Sequence, residues 1–152
     1  MMSRRSFSLA PLAWSVVAWP AAGANLPAGQ SLLAELAAAL RLGKPLVVMA
    51  SLEGCPFCRT VRDSYLAPLR SDTGQPVVQL DMGSQQAVRD FDGAPSSHHA
   101  TLRSWRIDIA PTVLFFGRGG REVAQRLAGA SIPDFYGAYL EERLLSARRN
   151  VQ

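Results

Sequence analysis

The residues best suited to chemistry are Cys55 and Cys58, the only two cysteines of a 152-residue chain, with Pro56 and Phe57 between them. Proline is well accommodated in the first turn of a helix, where its missing N–H would have had no partner. Val61, Tyr65, Leu66 and Leu69 then follow at helical spacing. The pattern predicts a helix that opens at the cysteine motif and runs to about Leu69. Unpaired N–H groups and the helix dipole favour negative charge at such a start, so a thiolate is stabilised at Cys55. The thiolate is the species that attacks disulfides. Cys58 lies one helical turn on, beside Cys55, where it can displace a substrate held as a mixed disulfide. Cys55 is therefore the expected nucleophile and Cys58 the expected resolving thiol.

Two other uses of the pair are weaker on physical grounds. A stabilising disulfide gains with the length of the loop it closes, and two intervening residues close almost none. A structural zinc site takes four ligands, of which this pair supplies two. His98 and His99 are the only histidines; adjacent side chains seldom reach one ion, and both read as solvated loop residues. No metal and no cofactor is expected.

The elements that must position the cysteines are legible around them. Ser31 to Leu42 reads as a helix, ended by Gly43 and Lys44-Pro45. Leu46 to Ala50 is a continuous apolar run, as in a strand buried on both faces. Ser51 to Gly54 forms the loop into the cysteine helix. Pro76 to Asp81 is a second buried strand, Gln85 to Phe91 a short helix, and Asp92 to Ser97 a loop. Thr101 to Trp105 reads as one or two helical turns. Thr112 to Phe116 and the alternating Arg121 to Leu127 read as a hairpin closed by Gly117-Arg118-Gly119-Gly120. Gly129 to Pro133 leads into a last helix bearing Phe135, Tyr139, Leu140, Leu144 and Leu145. Strands alternating with helices predict a parallel, right-handed crossover. The hairpin adds antiparallel strands, giving one α/β domain with a mixed sheet flanked by helices.

The first 24 residues have a different character. Arg4 and Arg5 precede a stretch, Leu9 to Ala24, with no charged residue, closed by the small residues Ala22-Gly23-Ala24. That is the layout of a secretory signal peptide, with the working domain spanning residues 25–152. Pro11, Ser15 and Pro20 interrupt the run, which is shorter than the roughly 20 apolar residues of a membrane span. Ser3-Arg4-Arg5-Ser6-Phe7 partly matches a twin-arginine signal, but Ser8-Leu9 departs from it. Loss of the two leading arginines lowers the net charge from +4 to +2. The remaining arginines are scattered and not interleaved with aromatics, which argues against nucleic acid. Outside the cytosol disulfides can persist, so a periplasmic location suits a cysteine couple.

Taken in order, these motifs resemble the thioredoxin superfamily, especially its exported bacterial members. Lys44-Pro45-Leu46-Val47-Val48 with Cys55-Pro56-Phe57-Cys58 matches its strand, loop and active-site helix. Trp105 to Phe116 resembles the segment leading into its cis-proline strand. Gly119-Gly120-Arg121-Glu122-Val123 and Leu127-Ala128-Gly129 match its hairpin and last turn. The resemblance, over residues 30–146, implies a thioredoxin fold and a cis Ala110–Pro111 bond facing the cysteines. Pro56, Phe57, Ala110 and Pro111 would then border the substrate, with the Ala110 backbone offering a short edge for β-augmentation. Three features depart from the family. Met49 stands where a buried carboxylate is usual, leaving Glu53 on the loop as a possible proton-transfer group. The intervening pair is Pro56-Phe57 rather than Gly-Pro. The segment from Gly83 to His99 is longer, as in a tolerated surface insertion or, less favoured, a partner-binding loop.

Strong oxidases of this superfamily place a histidine between the cysteines. Phe57 offers neither charge nor hydrogen bond, so a less oxidising, reductase-like role on exported protein disulfides is expected, with electrons from a membrane donor. No dimerisation segment is apparent and a monomer is expected. The alternatives are a non-catalytic binding or redox-sensing thioredoxin-fold protein and, less favoured, a disulfide-forming oxidase.

Overall fold

The computed structural model describes residues 25–130 and 133–151; the predicted export signal, residues 1–24, lies outside them. The chain folds into a mixed sheet between two helical layers. Helix α1 (Leu32–Arg41) leads into β1 (Leu46–Ser51). The cysteine helix follows in three joined pieces: α2 (Pro56–Val61), a π turn (Arg62–Leu66) and α3 (Ala67–Thr73). Then come β2 (Val77–Asp81), β3 (Ala87–Arg89), β4 (Pro95–Ser97) and α4 (His98–Ser104). The chain ends with β5 (Thr112–Gly117), β6 (Arg121–Glu122), β7 (Leu127–Ala128) and α5 (Tyr136–Asn150).

The central sheet has the order β2-β1-β5-β6, with β7 pairing along the same edge of β5 as β6. β1 runs parallel to β2 and antiparallel to β5. All six residues of β1 and of β5 are buried, because both faces of the sheet are covered. Side chains alternate between the faces. Val47, Met49, Val113 and Phe115 pack with Cys58, Val61 and Leu66 and with α5. Leu46, Val48, Ala50, Leu114 and Phe116 pack on the other side with α1 and α4. Among the described residues, no helix is long and apolar enough to cross a membrane.

The cysteine helix is longer than its apolar spacing indicates, and it widens in the middle. Pro68 has no N–H to donate, and its ring would meet the carbonyl one turn back in a regular helix. The π turn just before it relieves that conflict. Gly74, in the left-handed conformation at φ +63°, caps the end.

The segment from Gln85 to Ser97 departs from its sequence reading. It is neither a helix nor a loop: β3 and β4 pair as a small antiparallel hairpin, Ala87 opposite Ser97 and Arg89 opposite Pro95. Asp90 tightens its turn by accepting from the N–H groups of Asp92 and Ala94 at 2.9 and 2.8 Å, an Asx-type turn. Val88 is buried in the core and Phe91 packs on Trp105 and Phe116. The insertion is therefore a packed part of the domain.

His98 is the clearest correction. It begins α4, three residues before the predicted turns, and it is fully buried rather than solvated. Its Nδ1 accepts from Asp81 N–H at 3.1 Å, which leaves the proton on Nε2 to be donated to Gly29 O at 2.9 Å. The ring thus ties the end of β2 to the segment entering α1. His99 is half-buried.

The outer edge also differs from a single strand over 121–127. Glu122 pairs with Phe116 and Leu127 with Val113. Between them the outer strand has four residues where β5 has two, a bulge of two extra residues. In it Arg126 pairs with Glu122 and donates to Trp105 O at 2.9 Å. On α5 the buried stripe is Tyr136, Leu140, Leu144 and Ala147, while Phe135, Tyr139 and Leu145 are exposed.

Candidate redox site

The site is built where β1 ends and the cysteine helix begins. Cys55 caps that helix in an extended conformation, and its Sγ accepts from Cys58 N–H at 3.1 Å. Gly54 before it turns the chain at φ +73° with open space around it. The two cysteines are joined in a disulfide with Cα atoms 5.3 Å apart. Their environments differ. Cys55 is half-buried at the rim, whereas Cys58 is 1% exposed and packs in the apolar cluster with Met49, Val61, Val113 and Phe115.

The Ala110–Pro111 bond is cis. Ala110 O lies 4.0 Å from Cys55 Sγ, within reach of a thiol S–H at that sulfur. The loop is held by Thr112 Oγ1, which donates to Ile109 O at 2.7 Å, and by Gly129 N–H, which donates to Pro111 O at 2.7 Å. Pro111 is buried and Ala110 half-buried, while Pro56, Phe57 and Ile109 are exposed around the sulfur. The structure so brings Cys55, Pro56, Phe57, Ala110 and Pro111 to one rim.

Glu53 stands apart from the buried sulfur. It is exposed, lining a cleft beside Cys55, and no hydrogen bond joins it to either cysteine. Met49 is fully buried in the apolar cluster around Cys58, and no aspartate or glutamate among the described residues is buried. Tyr136 belongs to that cluster, and its hydroxyl is buried with no hydrogen-bond partner. Burial first, and the neighbouring Tyr65 second, hold it well above the usual phenol range, hence neutral. Among the described residues, no cluster of His, Cys, Asp and Glu could hold a metal ion.

Sequence reasoning missed the cleft beside Cys55. It measures about 680 Å³ and lies between the loop 51–54 and the loop after β2, with Arg59 and Arg62 on its helical side. The available signal was the spacing of those arginines, four and seven residues beyond Cys55, which keeps them on one helix face.

Comparison with known proteins places the fold. Among solved structures, a thioredoxin from Thermus thermophilus superposes with a TM-score of 0.52 at 19% identity, covering 80% of this chain and 86% of its own. A thioredoxin-fold protein from Helicobacter pylori gives 0.53 at 13% identity, covering 73% and 75%. Poplar thioredoxin h gives 0.48 at 21% identity, covering 74% and 94%. The sequence matches that of no curated protein. The family model described as "Thioredoxin-like domain" matches residues 32–143. That span contains the redox pair, the cis-proline loop and most of the last helix, and on it the chain belongs to the thioredoxin-like family as a thiol–disulfide oxidoreductase.

Proposed function

We propose that this protein works outside the cytosol, in the periplasm, as a reductase of disulfides in exported proteins. The observation that carries the division of labour is the contrast between Cys55, which a partner can touch at the rim, and Cys58, which is sealed beneath it. In the reduced protein the Cys55 thiolate attacks a substrate disulfide. One S–S bond forms to the substrate, the substrate bond breaks, and one substrate thiolate leaves. Cys58 then loses its proton and attacks Cys55 Sγ. The Cys55–Cys58 disulfide forms and the second substrate thiolate departs. The substrate gains two electrons and the protein loses two, which a membrane-bound dithiol donor must return.

Phe57 supports the reductive direction. A strong oxidant needs a highly stabilised thiolate, and a phenyl ring supplies neither charge nor hydrogen bond. Its exposed ring, and the exposed Ile109 next to Ala110 in sequence, offer apolar contacts for an extended substrate chain lying along Ala110. The charge-free stretch before Ala24, followed by a small-residue cleavage pattern, supports export.

The test is insulin reduction with dithiothreitol as the electron source, run on the chain from Asn25. Wild type should turn over and Cys55→Ser should not, while Cys58→Ser should accumulate a mixed disulfide with insulin. Equal background rates for all three would sink the catalytic reading. A reduction potential near about −120 mV, that of the oxidising DsbA-type proteins, would reverse the proposed direction.

A further inference from the structure

We propose that a basic cleft beside the redox rim selects disulfide substrates with an acidic side chain close to the reacting cysteine, and that Arg103 and Arg106 read that charge. The proposal rests on the reductase reading and adds a substrate class to it.

A second cleft, of about 500 Å³, adjoins the one beside Cys55 across Leu52, Met82 and Gly83. Its remaining apolar walls are Leu102 and Ile107. Leu52 belongs to the active-site loop, and its carbonyl accepts from Cys55 N–H at 3.3 Å. Asp108, also lining it, lies two residues before Ala110. The cleft is thus lined by residues of both loops that frame the sulfur.

The charges of the two clefts differ. Beside Cys55, Arg59 and Arg62 are balanced by Glu53 and Asp81, and Arg62 is further engaged by Asp63 at 3.0 Å. In the second cleft Arg103 and Arg106, with His99, face the single carboxylate of Asp108. Neither of these two guanidinium groups has a hydrogen bond or ion pair among the described residues, and both residues are exposed. Cations left unpaired at the edge of an apolar cleft are complementary to a peptide carboxylate flanked by apolar residues.

Arg106 has a second, independent feature in its backbone. It closes α4 in the left-handed conformation at φ +56°, the only non-glycine residue with positive φ among the described residues. Its N–H donates to Arg103 O, and the next N–H, of Ile107, donates to Leu102 O, each at 3.0 Å. That is a Schellman closure, whose left-handed position glycine fills without strain. Here the strained position holds an arginine that lines the cleft, the kind of backbone outlier that collects at functional sites.

The experiment uses pre-reduced protein in single turnover against three short peptides with an intramolecular disulfide. They differ at one position, two residues from a cysteine, which is Glu, Gln or Lys. Wild type should react about fivefold faster with the Glu peptide than with Gln, and slowest with Lys, the spread narrowing at high salt. In an Arg103→Gln, Arg106→Gly double variant the Glu-to-Gln ratio should fall below about twofold. Equal rate constants for the three peptides in wild type, or an undiminished ratio in the double variant, would overturn the proposal alone. No reaction with any peptide would overturn the reductase reading and this inference together.

Discussion

Two residues, Pro56 and Phe57, separate a sulfur that partners can reach from one that they cannot. Cys55 caps the helix at the rim, while Cys58 lies on the face turned into the core beside Met49. Met49 gives the buried sulfur an apolar neighbour in the same cluster, and Glu53 is exposed on the loop. A half-buried acid lies elsewhere, at Glu35. One of its oxygens accepts from Gln30 N–H at 2.9 Å and the other has no partner. Desolvation raises its pKa above the ordinary 4.5, outweighing the lowering by the Gln30 and Ser31 N–H groups and by nearby His98. The native state therefore holds this proton more tightly than the unfolded chain does. The stability it contributes is full below about pH 4.5 and declines as the pH rises through the higher native value. Glu35→Gln should remove that decline, and urea melts from pH 4 to 8 should show the variant gaining on wild type as the pH rises. Parallel curves for the two proteins would count against it.

At the scale of elements, helix ends do much of the positioning. The end of α4 sets the course of the chain toward Ala110, and it does so through Arg106 in a conformation that suits glycine. Left-handed geometry costs an L-residue about 1–2 kcal/mol. Arg106→Gly should therefore stabilise the fold by about 1 kcal/mol, seen as a higher urea midpoint with an unchanged slope, even as it blunts charge selection. A lower midpoint would mean that the arginine side chain stabilises the fold and would weaken the case that it serves substrate. In the cysteine helix, the π turn before Pro68 serves a different end. It absorbs the proline so that α3 can continue to Gly74 without breaking the helix that carries the sulfurs.

Across the whole molecule, the β3–β4 hairpin is held by Val88 in the core, by pairing with residues 30 and 31, and by a close approach at Gly120. A Cβ added at Gly120 would come within 2.5 Å of the Phe91 ring, whose other neighbours are Trp105 and Phe116. Gly120 also has φ +66°. Gly120→Ala should cost roughly 1–3 kcal/mol by overpacking and lower the thermal midpoint by several degrees. Insulin turnover measured well below that midpoint should persist, because the hairpin touches neither cysteine. Full stability in the variant would show that Phe91 moves freely and that the hairpin is not clamped there.

The local features were written in the sequence because they depend on neighbours along the chain. The run Leu46 to Ala50 is apolar throughout and so required cover on both faces, and Cys-Pro-Phe-Cys before a helical stripe required sulfurs one turn apart. What failed was decided by contacts distant in sequence. His98 beside His99 has no local mark of burial; it is interior because Asp81 N–H and Gly29 O, from separate segments, meet its two nitrogens. Gln85 to Ser97 is short and polar, without a clear period, and becomes a hairpin because residues 30 and 31 lend it an edge and the core takes Val88. The cleft beside Cys55 and the one adjoining it are likewise assembled from four separate stretches of chain. Composition and spacing thus determined the redox couple and the layers that carry it. Only the tertiary arrangement decided which sulfur faces a partner and which charges surround it, since exposure is a property of what packs nearby.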